Sequence, residues 1–434
     1  MGPEQLDQVH GAFLAFHAEF SPHLGRKQWR ERTRDYLRGL LVQSEERRNA
    51  ENVSEAVAVS ARSLQRVLTE ARWDDAAVTA HLQEYLAPRL NHPDAVWAVD
   101  ESGFPKQGRK SVGVSRQYCG AVGKVANCQI GVFLAHVGPR GRALVDKRLW
   151  LPPEWAADAA RCAAAGVPEE ARTYRSKTEL ALSLLRRAKA LGQLHADWVT
   201  GDDAYGASPD FRDGVAAEGW LYVLEVPSNT PAWPIATAWD VPPYSGSGRP
   251  RRPRPSPGQR REVKERAAAL SASAWQELHV ADGVQGPRTY RFAAERVRDS
   301  RNGEPGEAVW LLHRQNLDGS EPRTYFSNAP EPTPLFTLAR VGAARWPIET
   351  EFETDKSDVG LDEYEVRSWP GWHHHITMCL LASAFLLTMQ QEWGEKDAPD
   401  HPAAGVSGGP GAAAAGAVHA GAVALVAGGY PATQ

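Results

Sequence analysis

Apolar residues recur every three to four positions in WRERTRDYLRGLLV, where Tyr36, Leu37, Leu40 and Leu41 form one stripe and arginines fill the remaining surface. That spacing predicts an amphipathic helix, and residues 5 to about 92 read as helical throughout. NVSEAVAVSARSLQRVLTEARW predicts two short helices split near Ser60, a suitable N-cap. The pair has the look of a helix-turn-helix with Arg62, Gln65 and Arg66 on the exposed side of its second helix. A plain helical bundle with solvated arginines fits the same pattern. From about residue 95 the period changes from helical to strand-like. DAVWAVD is a short apolar run that ends in Asp100, and SVGVSRQYCGAV and VANCQIGVFLAHV follow as β-branched segments. SKTELALSLLRRAKAL (176–191) is amphipathic. DWVTGDDAYG reads as a strand leaving into a glycine turn, SPDFRDGVAAEG as a helix and WLYVLEVP as a strand. This order predicts an α/β fold whose sheet starts antiparallel and continues parallel.

After residue 228 the pattern breaks. PPYSGSGRPRRPRPSPGQRR predicts a loop. QELHVADG, RTYRFAAERV, AVWLLHRQN and RTYFSNAP predict strands of a β-rich insertion. Helices return in TLARVGAARWPIETEFETDKSDVG and WHHHITMCLLASAFLLTMQQEW. The Ala/Gly-rich tail from 397 carries neither stripe nor charge pattern and is expected to be disordered.

Composition changes this picture little. The chain has 434 residues, 42% hydrophobic and 24% charged, as in soluble globular proteins, with room for two or three domains. Four cysteines without CxxC spacing imply neither a zinc site nor a disulfide framework. No secretory signal pattern opens the chain and no apolar run is long enough for a membrane span, so a reducing, cytoplasmic setting without a membrane partner is expected. The net charge of −4 hides two basic segments, Arg26 to Arg48 and Arg249 to Arg266.

Three carboxylates fall at telling points: Asp100 ends the first predicted strand, Asp202 ends the strand after the long helix, and Glu349 lies on a helix beyond the insertion. Carboxylates on neighbouring strand ends and one helix can converge on a pair of Mg²⁺ ions, which about 4 Å apart stabilise both oxygens of an in-line phosphoryl displacement. An Asp at a strand end is more often a turn-former, so spacing alone leaves the assignment open. His373, His374 and His375 diverge by about 100° each on a helix and cannot chelate one ion together. A metal-dependent phosphoesterase for small substrates is a competing class, disfavoured by the basic helical segment and the basic loop.

The stretches VDESGFPKQGRKSVGVSRQYCGAVGKVANCQIGVFLAH, GDDAYG and RWPIETEFETDKSDVGLDEYEVRSWPGWHHHI resemble bacterial insertion-sequence transposases of the DDE type. The branch is the one marked by Tyr-x2-Arg-x3-Glu-x6-Lys around the third acid. Arg345, Glu349 and Lys356 are in register with it, and Gly342 stands where that family has Tyr. The likeness runs over roughly residues 30 to 390. It implies an RNase H-like mixed sheet with a β-rich insertion, preceded by an all-α DNA-binding region. It also implies two Mg²⁺ or Mn²⁺ ions on Asp100, Asp202 and Glu349, and hydrolysis at the transposon end to leave a 3′-OH that attacks again. The implied partners are double-stranded DNA, both terminal inverted repeats and target, and a second copy of the chain as a dimer on DNA in the nucleoid.

On this reading residues 1–92 are the helical region, 93–227 the first part of the core and 228–335 the insertion. Residues 336–396 are the core's C-terminal helices and 397–434 the low-complexity tail. The pattern Asp-x-x-Tyr-Gly selects Asp202 over Asp203. Glu101 is an outer-shell candidate, Glu353 faces with Glu349, and Glu351 is expected at solvent. Arg345 and Lys356 are expected on phosphates, against the alternative of a surface ion pair. Lys106, Arg109 and Lys110 lie in a loop that can rest on DNA, and the RPRRPRP loop either binds phosphates or is merely solubilising. The alternative to an active transposase is a decayed or catalytically impaired copy that only binds DNA; a frameshifted reading frame would produce a tail of this composition.

Overall fold

The structure, a computed structural model, describes residues 3–43, 47–241, 252–283 and 286–394. The low-complexity tail and residues 242–251 of the predicted Pro/Arg loop lie outside the described residues. Helices α1 (Pro3–Phe20), α2 (Lys27–Val42), α3 (Ala50–Val57), α4 (Ala61–Thr69) and α5 (Asp75–Leu90) come first. Strands β1 (Val96–Pro105), β2 (Ser115–Cys119), β3 (Lys124–Gly138) and β4 (Gly141–Leu149) follow. Next come α6 (Pro153–Ala156), α7 (Ala159–Ala164), α8 (Lys177–Leu191), β5 (Trp198–Gly201), α9 (Asp203–Gly206), α10 (Pro209–Ala217) and β6 (Leu221–Glu225). The insertion region contains β7 (Pro231–Pro234), β8 (Trp239–Asp240), β9 (Arg254–Pro255), β10 (Arg261–Glu262), α11 (Val263–Ala268), β11 (Gln276–Gly283), β12 (Gly286–Arg301), β13 (Glu304–Gln315) and β14 (Arg323–Ser327). Helices α12 (Leu335–Ala343), α13 (Trp346–Val359) and α14 (Trp369–Gly394) end the described chain. Among the described residues no helix is long and apolar enough to cross a membrane.

These elements fall into two compact units. The first comprises the described residues of Met1–Ala95, Asp100–Ala196 and Trp346–Gln434. Here β3 pairs antiparallel with β2 through its first five residues and with β4 through Gly131–Gly138. Helices α5 and α8 pack on both β3 and β4. Residues His373 to Ala382 of α14 are buried all round, as a helix inside a core must be. That helix packs on α2, α4, α5 and β4, so the N-terminal helices share a core with the C-terminal one. Leu37, Leu40 and Leu41 of α2 and Leu64, Val67 and Leu68 of α4 are fully buried, each worth about 1.5–3 kcal/mol of removed apolar surface. Ser60 caps α4 as its sequence predicts, its side chain accepting the Ser63 N–H. A complete capping box of Ser176 and Glu179 starts α8, and Gly192 in the left-handed region ends it.

The second unit comprises Val96–Val99 and the described residues of Asp197–Arg345. The first four residues of β1 pair parallel with β5, and β5 pairs parallel with β6. The expected change from antiparallel to parallel pairing is therefore present. The insertion strands extend this sheet: β14 pairs antiparallel with β6 at Tyr325–Glu225 and Phe326–Leu224, then β13, β12 and β7 follow in turn. Helix α12 packs over β5, β6, β11, β12 and β13. Its Leu338, Ala339 and Val341 share one core with Val96, Trp198, Val223, Phe292, Leu312 and Tyr325.

Candidate active site

Asp100 does not end its strand. β1 continues to Pro105 because Ser102, Gly103 and Phe104 are buried within it. The side chain of Asp100 is buried, and its Oδ1 accepts the Glu101 N–H at 2.7 Å. Glu101, on the opposite face of the pleat, is half-buried and forms an ion pair with Lys177 at the start of α8.

Asp202 is the N-cap of α9: its Oδ1 accepts the Ala204 N–H at 3.0 Å and the Tyr205 N–H at 3.4 Å. Asp203 is exposed. The rest of GDDAYG is explained by packing. Tyr205 is fully buried, and a Cβ on Gly206 would stand 1.8 Å from the backbone oxygen of Glu225. Gly206→Ala is therefore expected to force β6 and α9 apart and to destabilise the protein by about 2–3 kcal/mol, in the manner of overpacking. Denaturant unfolding checks this, and an unchanged midpoint would refute the close approach.

Glu349 lies in the first turn of α13 and is half-buried. Glu353, one turn beyond it, is exposed. Glu351 is a correction: it is 8% exposed instead of solvent-facing. Helix α13 packs on β3, β4, α2 and α14, and Glu351 stands on the covered side, away from the exposed Glu353 and Ser357. Arg142 Nε donates to Glu351 Oε2 at 2.9 Å. One turn on, Asp355 is 1% exposed, and burial followed by the charge of Glu351 holds its carboxyl well above the usual carboxylate range. Gly342, at the Tyr position of the signature, is buried on α12 with Val223, Leu312 and Tyr325 within 3.4–3.8 Å of a would-be Cβ. These are ordinary packing distances to three buried apolar side chains, so the position belongs to the core.

The basic residues divide. Arg345 is taken up by Glu225, at the end of β6, through Nε at 3.3 Å; Arg323 donates to the same carboxylate at 2.8 Å. The ion-pair alternative is thus the one observed for Arg345, and it is mostly buried. The sequence alone did not single out Glu225, although WLYVLEVP carries this carboxylate directly after its apolar run, as DAVWAVD carries Asp100. Lys106 lies over the Tyr364 ring and donates to the Tyr364 carbonyl at 2.9 Å. Burial brings its ammonium down to about 8, against the opposing pull of Asp362 and Glu365. Lys356 is half-buried, and no hydrogen bond or ion pair holds it among the described residues. Arg109, Lys110, Arg62, Gln65 and Arg66 are exposed, with Arg66 paired to Glu70 at 2.6 Å. The three histidines point into three separate contacts. His373 reaches the Trp369 carbonyl, His374 stacks on Trp73 at 4.0 Å, and His375 lies between the Tyr36 hydroxyl and the Gly360 carbonyl.

The candidate donor set is three carboxylates, the oxygen chemistry that Mg²⁺ and Mn²⁺ take. On Asp100 and Asp202 one oxygen is already oriented by backbone N–H groups, the kind of outer bond that aims a ligating carboxylate. The residues therefore fit divalent ions in kind. Asp100 and Glu349 belong to the first unit and Asp202 to the second. Among the described residues, no group of three or more His, Cys, Asp or Glu side chains stands close enough to hold a metal ion.

Comparison with known proteins adds the following. No curated protein matches the chain in sequence. The cryo-EM structure of the piggyBac transposase synaptic complex with hairpin DNA aligns with a TM-score of 0.42 at 10% identity, over 96% of this chain and 78% of that one. The family model of the DDE superfamily endonucleases matches residues 19–287, a span that includes Asp100 and Asp202 and ends before Glu349. With that match covering more than half its length, the chain belongs to the DDE superfamily endonuclease family.

Proposed function

We propose that this endonuclease is the transposase of an insertion sequence, of the branch signed here by Arg345, Glu349 and Lys356, cutting and joining DNA at the ends of its element. Asp100, Asp202 and Glu349 would hold two divalent ions, Mg²⁺ or Mn²⁺, which when bound supply Lewis-acid stabilisation to an in-line phosphoryl displacement. The observation that carries this reading is the parallel register of β1 and β5. Val99 pairs with Gly201, and each is followed in sequence by a carboxylate, Asp100 within β1 and Asp202 at the cap of α9. Backbone N–H groups fix the direction of both. Arg345 and Lys106 are largely buried on their partners, whereas the Arg66–Glu70 pair stands at the surface, so DNA contact is proposed for Lys356 and the exposed face of α4. There Arg62 and Arg66 suit phosphates, and Gln65 suits a base edge. Two copies acting on paired ends complete the proposal.

The test is nicking of a duplex carrying the element's own terminal repeats in Mg²⁺ or Mn²⁺. Binding without cleavage under either ion would turn the reading to the catalytically impaired copy, and absence of both would overturn it. The double variant Arg62→Ala, Arg66→Ala is expected to reduce the slope of log K against log[salt] by about two, one for each lost phosphate contact. Fluorescence anisotropy across a salt series measures that slope; an unchanged slope would remove α4 from the interface.

A further inference from the structure

Inside the first unit, a cavity of about 280 Å³ opens between the start of β4, α13 and α14. Arg142, Glu351, Asp355, Ser383, Leu386 and Leu387 form much of its wall. Its charge is unbalanced: two buried carboxylates face a single guanidinium, and that guanidinium is spent on Glu351. Ser383 is within hydrogen-bonding reach of both carboxyls, but its hydroxyl has one proton to donate. Asp355 is 1% exposed, and its Oδ2 has no hydrogen-bond partner. A fully buried carboxylate oxygen left unmatched is rare and costly, and calls for a donor from outside the described residues.

The cavity walls define that donor. Asp355 presents a single unmatched oxygen beside an apolar wall, which suits one N–H donor on an alkyl stem. Leu386 and Leu387 supply an apolar flank for a short alkyl stem, while Asp355 awaits a charged head. Cationic side chains bind in this way, with the stem on apolar surface and the head in a charge-assisted hydrogen bond. The volume equals several waters at about 30 Å³ each, room for a stem and head together.

We propose that this cavity is a receptor for an organic cation, an alkylguanidinium or alkylammonium group, anchored on Asp355. It lies on the helix that carries Glu349, and it does not depend on the DNA-cleavage reading.

The test uses the full chain and isothermal titration calorimetry with n-butylguanidinium. Saturable binding in the millimolar range or tighter is expected, with n-butylurea, its neutral analogue, failing to bind. Asp355→Asn is expected to weaken binding at least about tenfold, the loss of one charge-assisted contact. Because burial and Glu351 already favour the uncharged form of this carboxyl, a neutral amide of the same shape should not unfold the protein. As a second variant, Leu387→Phe narrows the cavity while keeping both carboxylates, and should weaken binding as well. Far-UV circular dichroism verifies that both variants are folded. A blocked Gly-Arg-Gly peptide separates the sources: binding comparable to butylguanidinium indicates a polypeptide side chain, and exclusion indicates a free small cation. Equal affinity of parent and Asp355→Asn, no saturable binding, or displacement of butylguanidinium by equimolar Mg²⁺ would each overturn the proposal.

Discussion

Glu349→Gln is expected to lower DNA cleavage on the order of 10³-fold or more, because on the proposed reading it removes a metal ligand and with it several kcal/mol of transition-state charge stabilisation. Binding to the same duplex should stay within about twofold, since sequence-independent affinity comes from cationic contacts to phosphates. Asp100→Asn and Asp202→Asn should fall to a similar floor, and pairing any two should cost little more, because residues acting as one unit are not additive. Glu353→Gln is the internal control: its side chain is exposed on the same helix and should cleave normally. Glu351→Gln is a sharper one, since Glu351 is buried against Arg142 and its loss should alter stability before it alters chemistry. Single-turnover nicking in Mg²⁺ and Mn²⁺ with an end-labelled duplex separates these cases. If Glu349→Gln cleaves as the parent chain does, the assignment of the third acid is wrong.

Local pattern was legible in this chain, and of the non-local pairing only the change from antiparallel to parallel was. The stripe of Tyr36, Leu37, Leu40 and Leu41 identifies α2 because helical period depends only on neighbouring residues. Ser60 and Ser176 announce helix starts for the same reason. The joining of β14 to β6 brings together Tyr325 and Glu225, a hundred residues apart. Alternation along a strand says which residues share a face, not which strand lies beside it. Burial failed in one instructive place. Spacing from Glu349 puts Glu351 on another side of α13, but that side is covered by further packing instead of water. Lys106 was read from its loop and Arg345 from the signature; what claims each of them, the Tyr364 ring and the Glu225 carboxylate, lies far off in sequence. Gly342 shows the reverse: its departure from the family signature was visible, and its cause, contact with Val223, Leu312 and Tyr325, required the fold.

Asp75→Asn should produce the largest loss of stability, about 3–5 kcal/mol, through a lysine far from the acids. Lys147 on β4 is 1% exposed, and its ammonium donates to Asp75 Oδ2 at 3.1 Å and to Thr79 Oγ1 at 2.8 Å, both on α5. Without Asp75 the ammonium either stays charged with its nearest counter-charge gone or sheds its proton. The second course sets a ceiling: about 1.4 kcal/mol per pH unit between 10.4 and 7, roughly 5 kcal/mol. The expected fall in Tm is about 10 °C. Burial alone would raise the Asp75 carboxyl, but Lys147 and then His373 bring it well below the usual carboxylate range. A depressed carboxyl contributes stability above its unfolded value near pH 4 and loses it as pH falls further, so parent and Asp75→Asn should converge in acid. The double variant Asp75→Asn, Lys147→Met should recover most of the loss, since removing both charges leaves neither buried alone. If it is no more stable than Asp75→Asn, the ion pair is not the source of the effect. Function should follow temperature: Asp75→Asn cleaves DNA normally when cool and fails on warming, whereas Glu349→Gln fails at every temperature at which it is folded. That contrast separates the residue that ties α5 to the β4 strand from the one assigned to the chemistry.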